Sequence, residues 1–234
     1  MSLTDPAALR AQYATEQNLE TRRSVWHPSL DGRDPSTTAL DLIVSARPTD
    51  VLEVGCGTGC FAARVQASHP GIRLTAIDQS PRFVELTAGR GVEARRADVQ
   101  DLPFKDDSFD VVAAMWMLYH VPDLDKALSE VRRVLRPGGL FVAVTNGDEH
   151  LAGLRRDAGA KALVTAFSSE NGESMLLRHF DSVSRDDIAT RAYFGDHAAA
   201  LAYLESTEAD RVWMLPPFEG SREYAGAVTV FAAR

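Results

Sequence analysis

Glu53, Asp78 and Asp98 are the residues of this 234-residue chain best suited to holding a polar ligand, because of what stands beside them. Glu53 lies in the apolar run Val51-Leu52-Glu53-Val54, and Gly55-Cys56-Gly57-Thr58-Gly59 follows at once. Glycine adopts positive φ and lets a ligand lie against bare backbone. Three glycines at alternate positions between a strand and a helix N-terminus make a cradle for a small polar molecule. A carboxylate inside an apolar strand is costly unless it is paired. The partner of Glu53 is then either a local amide or arginine, or a ligand cation. Asp78 ends Leu74-Thr75-Ala76-Ile77. There it can accept from both hydroxyls of a ribose, or cap the helix that Ser80-Pro81 opens. Asp98, in Ala97-Asp98-Val99-Gln100-Asp101-Leu102, can accept from an exocyclic amine flanked by Val99 and Leu102, or shape a turn.

His120 closes Met115-Trp116-Met117-Leu118-Tyr119-His120 and titrates in a range useful for a general base. It is equally able to pack or to cap the helix opening near Asp123. His27, beside Trp26, and His150 are further candidate bases. Cys56 and Cys60 are the only cysteines, and two thiols without a nearby histidine make an incomplete metal site. They read as reduced packing residues, no metal is expected, and the cytoplasm is the expected compartment.

The elements that must position these groups alternate. Thr4-Asp5-Pro6 starts a helix carrying Leu9, Tyr13 and Leu19; a Pro-, Asp- and Gly-rich loop runs from Trp26 to Pro35. Ser36 or Thr37 opens a second helix that stops before Pro48. Strands are expected at 51–54, 74–77, 92–97, 109–115 and 140–144, with helices between them. The clearest helix runs from Asp123 to Leu135, with Leu124, Ala127, Leu128, Val131, Val134 and Leu135 on one stripe. Such alternation means a parallel sheet covered on both faces. Beyond Thr145 the pattern weakens: helices over 151–167, 169–177 and 196–206, and strands over 180–194 and 227–232, are expected.

Val51-Leu52-Glu53-Val54-Gly55-Cys56-Gly57-Thr58-Gly59 resembles the cofactor loop of class I S-adenosylmethionine-dependent methyltransferases. Ala97–Phe104, Ser108-Phe109-Asp110-Val111-Val112, Leu118–Asp123 and Leu135-Arg136-Pro137-Gly138-Gly139-Leu140 look like later motifs of that family, in the family's order. The resemblance implies a three-layer, Rossmann-like, doubly wound α/β sheet of seven strands, the last antiparallel, under an N-terminal helical cap. It implies S-adenosylmethionine as cofactor, held by Glu53, Gly55, Gly57, Gly59, Asp78, Gln79, Asp98, Val99 and Met115. Tyr13 and the Arg22-Arg23 pair are placed to reach the cofactor's carboxylate, and His120 is the catalytic candidate. One domain is expected: a cap over 1–47, a cofactor core over 48–145, and 146–234 completing the sheet.

Composition narrows the partner. The net charge is −8, and the Arg-Arg pairs at 22–23, 95–96, 132–133 and 155–156 are spread along the chain, as on solvated faces. A nucleic-acid backbone is therefore not the expected partner. No apolar run is long enough to cross a membrane. The Asn/Asp-Pro-Pro-Tyr/Phe signature of base-amino methyltransferases is missing after 109–115, where Ala114-Met115-Trp116-Met117 stands. A small-molecule acceptor is expected. The rivals are a dinucleotide oxidoreductase, whose third glycine would fall on Cys60, and a non-catalytic module that keeps the cofactor site.

Overall fold

The computed structural model describes residues 4–208 and 211–234. Its elements run α1 (Pro6–Gln12), α2 (Gln17–Arg23), β1 (Trp26–His27), α3 (Pro35–Ser45), β2 (Asp50–Val54), α4 (Cys60–Ser68), β3 (Arg73–Asp78), α5 (Pro81–Ala88), β4 (Glu93–Arg96) and β5 (Phe109–Met115). After a 3-10 turn at Leu118–His120 come α6 (Leu124–Val134), β6 (Leu135–Asn146), α7 (Ala152–Asp157), α8 (Gly172–Leu176), β7 (Val183–Phe194), α9 (His197–Thr207) and β8 (Arg222–Ala233).

All eight strands form one sheet, ordered β1-β7-β8-β6-β5-β2-β3-β4. β4, β3, β2, β5 and β6 are mutually parallel, and β8 inserts antiparallel between β6 and β7. Alternate side chains separate the two faces. Val111 and Ala113 pack with Ala39 and Ile43 of α3 and Ala62 and Val65 of α4. Val112 and Ala114 face Leu128 and Val131 of α6 and Leu176 of α8. Burial on both faces explains the nearly continuous apolar sequence of β5.

Caps set the helix starts. Asp34, Ser80, Asp123 and Asp196 each accept a main-chain N–H from the first turn of α3, α5, α6 and α9. At α6 the cap is therefore Asp123 itself, and His120 belongs to the 3-10 turn before it.

The expected seven strands are eight. The eighth is the two-residue β1, inside what the sequence presents as loop, where Trp26 and His27 pair antiparallel with Ala192 and Arg191. Two residues carry no period to read. The expected first helix is two: it breaks after Gln12, and Leu19 sits on α2. The long helix expected over 151–167 is the six-residue α7, which ends where Gly159 takes positive φ. Nor are all arginine pairs solvated. Arg155 is buried and paired with Glu208 at 2.7 Å, and Arg22 and Arg23 line the cavity described next.

Candidate active site

A cavity of about 1240 Å³ opens along the carboxyl ends of the parallel strands. Ligands collect there in an open α/β sheet. One half lies over β2, β3 and β4, between the glycine loop, Asp78, Gln79, Asp98 and Val99. The other lies over β5, β6, β8 and β7, where Trp116, Asn146, Val228 and Thr190 stand. α1 and α2 form its cover, through Leu9, Tyr13, Leu19, Arg22 and Arg23.

The glycine loop is pinned to the next strand. Gly55 N–H and Cys56 N–H donate to Ile77 O at 2.8 and 3.0 Å. Gly57 N–H donates to Asp78 Oδ2 at 3.0 Å, and Ser80 N–H donates to Asp78 Oδ1 at 2.9 Å. Gly55, Gly57 and Gly59 have φ of 68°, 53° and 73°, a region side chains resist. Their roles differ. Gly55 and Gly57 line the cavity, whereas Gly59 does not. A Cβ on Gly59 would stand 2.8 Å from the Thr87 Cα, so this glycine lets α4 approach α5.

Glu53 sits on the α4 face of β2 with 2% of its surface exposed, and its Oε2 has no hydrogen-bond partner among the described residues. Burial, then the nearby Asp78 carboxylate, pushes its pKa well above the ordinary range; the Ala62 amide in the first turn of α4 opposes that rise. Burial also raises Asp78, against the amides of Ser80 and Gly57. Two carboxylates crowded behind bare backbone create a local demand for a cation and for donors. Asp98 is steadied by Gln100, whose N–H donates to its Oδ1 at 2.9 Å. Val99 lines the cavity beside it, while Leu102 turns into the core.

The cover is tied to this base. Arg23 Nη1 donates to Thr58 Oγ1 at 3.1 Å, and Arg90 Nε donates to Thr58 O at 2.7 Å. Burial would raise the Cys60 thiol, but Thr58 and Arg23 outweigh it and hold it below its ordinary range. Cys56, more deeply buried, is pushed up to about 12. Both cysteines are free, and no metal-binding cluster occurs among the described residues.

Tyr13 reaches across from the cover, and its hydroxyl lies 2.8 Å from His120 Nε2. The Arg22 guanidinium stands 5.2 Å over the Tyr13 ring. At the exit of β5, Met115 lines the cavity and Trp116 takes φ of 53°, a conformation bulky residues avoid. Trp116 is held there by N–H donation to Val144 O at 2.9 Å and by Nε1 to Asn146 Oδ1 at 3.0 Å. His150 packs at a tilt against Trp26, 4.7 Å between ring centres, and burial lowers its pKa to about 4, so it stays neutral. His27 is exposed at the rim.

The expected site residues thus share one cavity, Gly59 excepted. Asn146, Thr190 and Tyr203 also line it and carried no sequence signal, because they come from elements without a diagnostic spacing.

Residues 52–143 match a family model described as a methyltransferase domain. Among curated proteins, the chain is 34% identical over 112 residues to a demethylmenaquinone methyltransferase of Thermus thermophilus, covering 45% of this chain and 51% of that one. It is 28% identical over 204 residues to a malonyl-[acyl-carrier protein] O-methyltransferase of Laribacter hongkongensis, covering 82% and 65%. The chain spans less than two thirds of either relative. Among solved structures, the [4+2]-cyclase SpnF superposes with a TM-score of 0.64 at 18% identity, over 100% of this chain and 96% of that one. The N-methyltransferase NodS of Bradyrhizobium japonicum, solved with S-adenosyl-L-homocysteine, gives 0.56 at 18%, over 100% and 99%. These structural likenesses concern the fold, and one of the two names is not that of a methyltransferase.

Proposed function

We propose that the chain is a class I S-adenosylmethionine-dependent methyltransferase whose cofactor core includes the matched residues 52–143, and that it methylates a small-molecule acceptor. The observation that carries this reading is the pairing of an unpartnered, buried Glu53 oxygen with a glycine cradle whose Gly57 amide is fixed by Asp78. Those residues fit the cofactor: its ammonium answers the demand for a cation, and its amino-acid part can lie against the bare backbone of Gly57, while the missing Cβ of Gly55 makes room for Met117. A dinucleotide fits less well, since Cys60 occupies the place of the third glycine of that fingerprint.

When bound, S-adenosylmethionine supplies an activated methyl group on a sulfonium. Asp78 would accept from the ribose hydroxyls, with Gln79 beside it. Asp98 would accept from the adenine amine, with Val99 against the ring. Arg23, already tied to the loop through Thr58, would meet the cofactor's carboxylate, and Met115 and Trp116 stand at the end of β5 beside the place of the sulfonium. With α1 and α2 over the cavity, water is excluded and the reactants are held in line; alignment of this kind contributes about 7–11 kcal/mol. An acceptor that must lose a proton gives it to Tyr13 Oη, whose own proton passes to His120 Nε2.

Within this reading, residues 1–47 are a cap, 48–145 the cofactor core and 146–234 the completion of the sheet, all in one domain. No described helix is long and apolar enough to cross a membrane. Two free cysteines at the cofactor loop accord with a cytoplasmic enzyme. The acidic charge accords with a metabolite rather than nucleic acid as acceptor. The test is a labelled-methyl screen against fractionated metabolites. Transfer of label to a small molecule supports the reading. Tight cofactor binding with no label transferred to any fraction would instead favour a cofactor-dependent activity without methyl transfer.

A further inference from the structure

Two buried polar atoms lining the cavity have no partner among the described residues, and an oxygen acceptor on a ligand would satisfy both. The first is Arg22 Nη2, which is buried. Arg22 spends its Nε on Asn18 O at 3.2 Å and lays its guanidinium over Tyr13. It makes no ion pair among the described residues. Its near neighbours include the phenols of Tyr119 and Tyr203, which burial keeps neutral. A cation whose tip is out of water and has no counter-charge is costly. The second atom is Thr190 Oγ1, on a residue 5% exposed that lines the cavity from β7.

Gly226 brings that hydroxyl into an aromatic setting. A Cβ there would stand 2.3 Å from Thr190 Oγ1 and 2.6 Å from the Trp26 ring, so its absence lets both groups settle on the floor. Trp26 is also edge-on to Tyr203 at 6.3 Å and tilted against His150. Flat rings and few charges favour a flat ligand. Arg22 and Arg23, adjacent on α2, therefore divide their work: Arg23 is committed to Thr58 of the cofactor loop, and Arg22 faces Tyr13.

We propose that the acceptor is a planar aromatic carboxylate, its ring lying against Trp26 and Trp116 and its carboxylate received by Arg22, with the Thr190 hydroxyl donating to the second carboxylate oxygen. This rests on the methyltransferase reading above and specifies its substrate class.

The test uses the full chain saturated with S-adenosylhomocysteine, titrated by calorimetry with 2-naphthoate and with its neutral isostere 2-naphthamide. Naphthoate should bind about tenfold or more tightly than the amide. Arg22→Gln should erase that preference while leaving S-adenosylhomocysteine affinity within about twofold. Thr190→Val should weaken naphthoate without lowering the melting temperature, because the hydroxyl it removes has no partner in the fold. A residue serving only structure would show the reverse. Equal binding of the two probes, no saturable naphthoate binding, or loss of S-adenosylhomocysteine affinity in Arg22→Gln would each overturn the proposal while leaving the methyltransferase reading intact. Failure of the unmodified protein to bind S-adenosylhomocysteine at all would overturn both.

Discussion

Replacing Glu53 by Gln separates what this carboxylate does for the cofactor from what it costs the fold. The side chain is 2% exposed with one oxygen unpartnered, and burial beside Asp78 raises its pKa. A folded-state pKa above the unfolded value means the neutral form is favoured in the native protein. The stability gained from that preference is fully present below the unfolded pKa and is lost as pH rises through the folded one. Unliganded Glu53→Gln, neutral at every pH, should therefore match or exceed the parent's melting temperature at pH 8 and lose that advantage toward pH 5. Cofactor binding should move the other way. An ionised Glu53 meeting an ammonium contributes one or two charge-assisted hydrogen bonds of about 1.5–3 kcal/mol in all, so the variant should bind S-adenosylhomocysteine about 10- to 150-fold more weakly at pH 8. In the parent, affinity should fall as pH drops through the raised pKa; in Glu53→Gln it should be flat. Calorimetry at several pH values, with melting curves on the same samples, reads both effects. A variant with parental affinity and a parental pH slope would show that Glu53 never meets the ligand, and the electrostatic reasoning for this site would fail.

Asp78→Ala removes both the proposed ribose acceptor and the anchor of Gly57 N–H, and should weaken S-adenosylhomocysteine by about 10- to 100-fold in a folded protein; calorimetry decides. Gly59→Ala should cost roughly 2 kcal/mol or more, a fall of about 4–8 °C in melting temperature, because its Cβ meets the Thr87 backbone. Gly57→Ala meets only the flexible Leu19 tip, so it should spare stability more and cofactor affinity less. His120→Ala should retain cofactor affinity while turnover falls about 100-fold or more for an acceptor that must lose a proton, and a more acidic acceptor should recover the rate. Tyr13→Phe should reproduce that loss and shift the pH–rate profile, with full activity excluding the relay.

Much of this was legible in the chain because local rules and the fold agree. Asp78 closes a strand whose apolar run is short and bounded, so its place at the carboxyl edge could be read directly, whereas the strand before Asp98 is Glu-Ala-Arg-Arg and shows no such run. α6 shows its stripe because one face is buried throughout. Gly59 was legible as a glycine but not in its role, since a ligand contact and a helix–helix approach call for the same residue. The cap was less readable. Trp26 and His27 form a strand only because β7 offers an edge, and α1 and α2 are too short for a stripe to separate them. Thr190 and Gly226 stand 36 positions apart in sequence (226 − 190) and meet only through the β7–β8 register, which no local pattern encodes.

A crystal structure of the chain grown with S-adenosylhomocysteine tests the central claim most directly. The ribose should lie on Asp78, the adenine beside Asp98 and Val99, and the amino group within hydrogen-bonding distance of Glu53 or the glycine-loop carbonyls. Density for the nucleoside anywhere else, or ordered binding with Glu53 and Asp78 both turned from it, would contradict the account.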